Sequence, residues 1–72
     1  MNKNEIYVVV ETDNGKNPRV FGEYAYTSKS SAMNKTRSLG QLVKNLNLEY
    51  VYSTKSLAWA ESHCPHAELL II

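Results

Sequence analysis

The sequence has few of the residues that build rigid frameworks or membrane anchors. Among 72 residues there is one cysteine, Cys64, which excludes an internal disulfide and is typical of a reducing compartment. No apolar run approaches the ~20 residues of a membrane span. The polar start, Met1 to Glu5, lacks the apolar stretch of a signal peptide. We therefore expect a complete cytoplasmic protein that does not associate with membranes.

An excess of charge of either sign is also absent. Eight Lys and Arg residues against seven Asp and Glu residues leave a net charge of +1, which gives no bulk reason to expect a polyanionic partner. A chain of this length forms one domain, over residues 1–72, and buries only about 60% of its unfolded surface. Such a small core makes a homodimer worth considering.

The strongest strand signal is the run from Ile6 to Val10, which lies between Glu5 and Glu11. β-Branched and aromatic residues favour strands, and side chains alternate between the two faces of a sheet. If both glutamates face solvent, Tyr7 and Val9 share that open face, while the other residues of the run face the core.

The remaining pattern predicts the order β-β-α-β-α-β. Strands are predicted at 6–10, 19–27, 48–54 and 67–72, and helices at 29–46 and 55–63. Asn14-Gly15 lies in the first turn, and Gly22 is a candidate bulge. Asn47 is expected to end the first helix in a left-handed conformation, and Gly40 inside that helix suggests close approach of another backbone. The same parity places Tyr24, Tyr26, Tyr50 and Tyr52 on the core side.

The last predicted strand has no alternation. Leu69 to Ile72 is apolar at every position, which is typical of a strand covered on both faces. Helical crossovers connect parallel strands, so strands two, three and four are expected to run parallel, with strand one antiparallel. The predicted fold is a small two-layer α+β domain with a mixed four-stranded sheet and two helices.

A short segment near the end collects four possible metal ligands, Glu61, His63, Cys64 and His66. Zinc binds such donors tetrahedrally, but adjacent ligands next to the stiff Pro65 converge poorly on one ion, so we expect no metal and no cofactor. Cys64 beside a histidine has neither an oxyanion hole nor an orienting third group. We therefore expect no catalytic residues, no enzymatic activity and no small-molecule substrate.

Two further segments carry a recognisable order of residues. The first contains Thr12-Asp13, Asn17-Pro18 and Gly22, and the second is Ser53-Thr54-Lys55-Ser56. Together they resemble parts of ribonuclease H-like domains. Asp13 is the only family carboxylate that is matched, and Lys55 stands where a second one is required. Clustered carboxylates hold the metal ions for phosphodiester cleavage, so the resemblance implies no nuclease activity. That family also has a third antiparallel strand before the helix, which the sequence pattern does not predict here.

The open sheet face suggests a function. The interface candidates are Tyr7, Val9, Phe21 and Val51 on that face and Trp59 on the second helix. Aromatic anchors inside a charged rim are typical of protein interfaces, although a sheet also exposes apolar side chains without binding anything, and Trp59 can close the core. The leading hypothesis is a non-enzymatic interaction protein that binds a protein partner or itself, as a small phage-type inhibitor or regulatory adaptor.

The alternative hypothesis is a small nucleic-acid-binding module. Its candidate residues are Arg37, Gln41 and Lys44 on one face of the first helix, with Lys35 nearby. Basic side chains along a helix contact phosphates in such modules. A solvated helix surface has the same composition, so both interpretations stay open.

Overall fold

The computed structural model describes residues 2–65 and 68–72. A 3₁₀ turn at Lys3–Glu5 precedes the first strand. The strands and helices then follow as β1 (Tyr7–Asp13), β2 (Lys16–Val20), β3 (Tyr24–Ala25), α1 (Lys29–Leu46), β4 (Tyr50–Ser56), α2 (Leu57–His63) and β5 (Leu70–Ile71). No helix within the described ranges is long and apolar enough to cross a membrane.

The strands form two sheets. β1 is the central strand of a three-stranded antiparallel sheet with the order β2-β1-β4, and β3 and β5 form a separate parallel pair. The predicted small α+β domain with two helices is confirmed, whereas the single mixed four-stranded sheet is wrong. Three predicted directions hold, because β2 and β4 run antiparallel to β1 and β5 runs parallel to β3.

Positive backbone φ angles explain where the second predicted strand divides. Asn14 (φ 55°) and Gly15 (φ 90°) form the two-residue turn between β1 and β2, and Thr12 Oγ1 accepts a hydrogen bond of 3.0 Å from the Gly15 N–H. Gly22 (φ 79°) then ends the pairing of β2. A third, short strand therefore precedes α1, contrary to the sequence pattern. The faces of this strand are the reverse of those predicted, since Ala25 is buried and Tyr24 is exposed.

Helix α1 has the bounds that its periodicity predicts. The Ser28 hydroxyl accepts a hydrogen bond from the Ser31 N–H at its start, and Asn47 ends it in the left-handed conformation (φ 56°, ψ 43°), as expected. Ala32 and Leu39 are its buried residues. The close approach suggested at Gly40 is wrong, because a Cβ built there meets no atom within 4 Å.

The second helix starts later than its pattern suggests. β4 extends to Ser56, whose hydroxyl accepts a hydrogen bond of 3.1 Å from the Trp59 N–H and caps α2. The predicted strand at 48–54 and the predicted helix at 55–63 are therefore each displaced by this cap. Ala60 is the buried residue of α2.

Both faces of β1 are covered. Val8 and Val10 pack with Ala25 and Ala60 on one face. On the other face Val9 is only 1% exposed; its register partner Thr54 lies 2.7 Å from Thr36 of α1 (Oγ1 to Oγ1), so α1 covers this side. The two-layer arrangement with one open sheet face is therefore wrong, because the apolar residues of both parities are buried.

Candidate interaction groove

The register of β4 decides which predicted interface residues share a face. Val51 is paired with Thr12 and Tyr52 with Glu11. Because paired residues point to the same side of a sheet, Val51 lies on the face opposite Glu11, and Tyr52 lies on the same face as Glu11. The predicted parity of this strand is therefore wrong by one residue.

The five interface candidates consequently lie in different places. Val9 is buried under α1, and Val51 is 49% exposed on the opposite face. Tyr7 is half-buried, with the Lys29 ammonium 5.9 Å from its ring centroid. Phe21 is half-buried on the α1 side, and Trp59 of α2 is half-buried and packs against the core. The structure does not bring these residues together on one open surface.

A charged network joins β1, β2 and β4 beside α1. Arg19 Nε donates to Glu11 at 2.7 Å and Arg19 Nη2 donates to Asp13 at 2.8 Å, while the Tyr52 hydroxyl donates to Glu11 at 2.5 Å. The hydrogen bond from Arg19 holds the pKa of Asp13 below its usual range, and the two carboxylates raise the pKa of Arg19. Burial, together with the bond to Glu11, raises the pKa of Tyr52 to about 12. We call these four residues the Arg19 network.

Next to this network lies a groove between α1 and the segment that connects β2 to β3. Its volume is about 290 Å³, and its lining residues are Phe21, Gly22, Glu23, Tyr24, Tyr26 and Lys35. The Phe21 ring packs edge-on against Tyr52, with centroids 5.3 Å apart and an interplanar angle of 87°. This volume is at the small end of ligand pockets. We call this pocket the aromatic groove.

Further along α1, the side of the helix that carries Lys35 also carries exposed apolar residues. Lys35, Leu42 and Leu46 are spaced i, i+7 and i+11, which places them on the same side of a helix. Leu42 and Leu46 are 50% and 59% exposed. We call these two leucines the α1 ridge. The aromatic groove and the α1 ridge therefore lie along the same side of α1, with Lys35 between them.

A second cleft, of about 510 Å³, lies at the other end of the sheet. Its lining residues are Asp13, Asn14, Asn47, Leu48, Glu49 and Tyr50. It is wider and more polar than the aromatic groove. Asp13 already pairs with Arg19, and the Asn14 N–H donates to the Glu49 carbonyl at 3.1 Å. The Asp13 carboxylate and the Asn14 N–H are therefore already bonded within the domain.

The predicted nucleic-acid residues fall into two groups. Arg37, Gln41 and Lys44 are exposed and share a face of α1 by their i, i+4, i+7 spacing. Arg37 donates to Asn34 and Gln41 donates to Asn45, both at 3.1 Å. Lys35 lies on a different side and lines the aromatic groove. Three of the four candidates are therefore brought together.

The candidate metal ligands do not form a site in the part of the chain that the structure describes, where no group of three or more such side chains is found. His63 stacks on Trp59, with centroids 4.1 Å apart, and its Nδ1 lies 2.8 Å from the Trp59 carbonyl oxygen. Burial raises the pKa of the Cys64 thiol. His66 lies outside the described residues.

Comparison with protein-family models, curated proteins and solved structures finds no match for this chain. The candidate site therefore rests on the geometry alone. Tyr24 and Tyr26 of the aromatic groove were both expected on the core side. Gly22 was the available signal, since a glycine that ends a strand also resets the alternation of the residues that follow it.

Proposed function

We propose that this protein is a non-enzymatic interaction domain that binds a protein partner through the aromatic groove and the α1 ridge. The supporting observation is an unusual division of side chains. Tyr24, Leu42 and Leu46 of this surface are 45%, 50% and 59% exposed, whereas the buried hydrophobic residues among those described are mostly Val and Ala. Larger exposed apolar patches mark interaction sites in soluble proteins. A small inhibitor or regulatory adaptor, of the kind that phages encode, is the class of protein that we propose.

The groove also indicates what a partner must present. Tyr24 is 45% exposed and stands beside half-buried Phe21 and Tyr26, so an apolar or aromatic side chain gains contact on several sides. Lys35 supplies a donor and Glu23 an acceptor at the edge of the same groove. The expected ligand is a protein segment with one large apolar anchor between polar residues.

The charged side chains and the thiol that could act in catalysis are bonded within the domain or protonated, which supports a non-enzymatic role. Arg19 binds both Glu11 and Asp13. The raised pKa of Cys64 keeps the thiol protonated, and the thiolate is the nucleophilic form. A single reduced thiol also suits the cytoplasm, which we propose as the compartment.

A pair of variants with matched exposure tests the proposed surface. Tyr24 and Met33 are 45% and 43% exposed, and their substitution by serine removes similar apolar area. Met33 lies two residues before Lys35, and helical spacing of 100° per residue places it on the opposite side of α1. With immobilised protein and an extract of the source cell, we expect the partner to bind wild type and Met33→Ser, and to bind Tyr24→Ser at least about tenfold more weakly.

Titration of the purified partner then gives the dissociation constants. Circular dichroism and Trp59 fluorescence establish that each variant is folded. Equal loss of binding in both variants, or no loss in Tyr24→Ser, contradicts the assignment of the groove.

A second candidate function is supported by the composition of α1. This helix carries Lys29, Lys35, Arg37 and Lys44 and no acidic residue. Under this alternative, Arg37 and Lys44 contact the phosphates of a nucleic acid. Anisotropy of labelled duplex DNA, single-stranded DNA and RNA at 50 and 200 mM salt tests it. About four phosphate contacts weaken binding to duplex DNA roughly 100-fold between these conditions. Absence of binding at low salt excludes this function.

A further inference from the structure

The last strand is exposed along its length. Leu70, Ile71 and Ile72 are 61%, 57% and 56% exposed. Tyr24, the register partner of Leu70, is exposed beside it. β5 carries no charged residue and no proline, two of the features by which natural edge strands prevent pairing with another chain; its protection is limited to its short length.

The outer edge of β5 offers backbone groups to a further strand. The N–H groups of Leu70 and Ile72 donate to the Glu23 and Ala25 carbonyls at 2.8 Å each, so these residues use their inward-facing donors on β3. Because N–H and C=O directions alternate along a strand, the N–H and C=O of Ile71 point away from β3. β5 has β3 as its partner and no strand on its outer side within the described residues.

We propose that this edge binds β5 of a second copy of the chain, antiparallel and around a two-fold axis. The unpaired backbone groups can form hydrogen bonds with another strand. Because the side chains of β5 are neutral and apolar, they pack best against a strand that is also neutral and apolar, and β5 of a second copy is such a strand. A net charge of +1 gives little repulsion between copies. An isologous pair also covers both free edges at once and closes the assembly.

This association uses the outer backbone edge of β5 and goes beyond the proposed function, which concerns the side chains of the aromatic groove; Tyr24, the register partner of Leu70, lies between the two. The edge is short, and a standard interface needs about 800 Å² from each partner. We therefore expect a reversible dimer with a dissociation constant on the order of 100 μM. Sedimentation analysis of the full chain over a range of concentrations measures it.

Substitution of Ile71 tests the backbone contact. Ile71→Pro removes the N–H that points outward and leaves both hydrogen bonds to β3 in place, since proline is tolerated on the free side of an edge strand. We expect it to raise the dissociation constant at least about tenfold. Ile71→Val keeps the N–H and serves as the control, with the dimer expected to persist. Amide exchange of Ile71 in the wild type should slow as the protein concentration rises, which requires no variant.

Opposite charges at position 70 test whether the partner is a second copy. Antiparallel pairing around a two-fold axis places the two Leu70 side chains directly opposite or diagonal to each other, within about 8 Å. Leu70→Lys and Leu70→Glu should each be monomeric alone, and an equimolar mixture should form a heterodimer.

Two results would overturn the proposed dimer. A wild type that stays monomeric at millimolar concentration overturns the proposal. A dimer that persists unchanged in Ile71→Pro and in Leu70→Lys also overturns it, and assigns self-association to another surface. Because Tyr24 is also the register partner of Leu70, the Tyr24→Ser test of the aromatic groove is made at a concentration where the wild type is monomeric, and neither result above bears on it.

Discussion

β1 and β5 are the two most apolar segments of the chain, and the structure treats them in opposite ways. Val8, Val9 and Val10 of β1 are at most 1% exposed, whereas Leu70 and Ile71 of β5 are more than half exposed. β1 has a strand on each side, with α1 on one face and Ala60 of α2 on the other. Within the described residues, β5 is paired along one edge only. In this protein, burial follows the position of a strand in its sheet. The larger and more hydrophobic side chains are the ones left outside.

Introducing a charge should give the largest difference in stability between a substitution in β1 and one in β5. Val9→Asp places a carboxylate between the sheet and α1 without a cationic partner, and we expect a loss of more than about 4 kcal/mol, enough to unfold the domain. Leu70→Asp should stay folded, because its carboxylate remains in water. Circular dichroism and urea unfolding compare the two variants. A folded Val9→Asp would show that α1 does not cover β1.

Truncation to alanine should give a smaller difference in stability between the two strands. Val8→Ala should cost about 2 kcal/mol, since it removes fully buried methyl groups and leaves a cavity. Leu70→Ala removes more carbon atoms, yet should cost less than about 0.5 kcal/mol at an exposed site. Urea unfolding at a concentration where the protein is monomeric measures both. If Leu70→Ala is the more destabilising variant, β5 is part of the core.

The third test concerns the side-chain bonds that β1 has and β5 lacks. The pKa of Tyr52 is raised from 10.0 to about 12. A folded-state pKa above the unfolded value means that the stabilisation is fully present below pH 10 and is lost as the pH rises from about 10 to 12. Tyr52→Phe should remove this part of the alkaline loss, which urea unfolding across that range measures. Glu11→Gln should lower the pKa of Tyr52, as read from tyrosinate absorbance; an unchanged titration would contradict the Arg19 network.

Local signals predicted the elements well. The bounds of α1, the Asn47 terminator and the Asn14-Gly15 reversal all follow from residues within a few positions of one another. The N-cap of α2 at Ser56 could not be predicted from residue type, because Ser53 and Thr54 are of types that cap helices equally well. Only the pairing of β4 with β1 selects the later residue.

Face and exposure depended on partners distant in the sequence. The parity of β1 and β2 was consistent, but β4 was one residue out of phase, since Glu49 gives no indication that Tyr52 would reach Glu11. An apolar run without alternation is equally compatible with a central strand and with an uncovered edge. The aromatic groove was therefore not predictable as a unit, even though Phe21 and Lys35 were both candidates.

The register of β1 also determines when this domain can fold during synthesis. β2 is available to β1 once Val20 has left the ribosome, but the other edge of β1 waits for β4, whose last residue is Ser56. At about 5–20 residues per second, the intervening segment takes roughly 2–7 s to emerge. For that time the valines of β1 lie next to an open edge, and the nascent chain depends on its surroundings to keep them from pairing elsewhere.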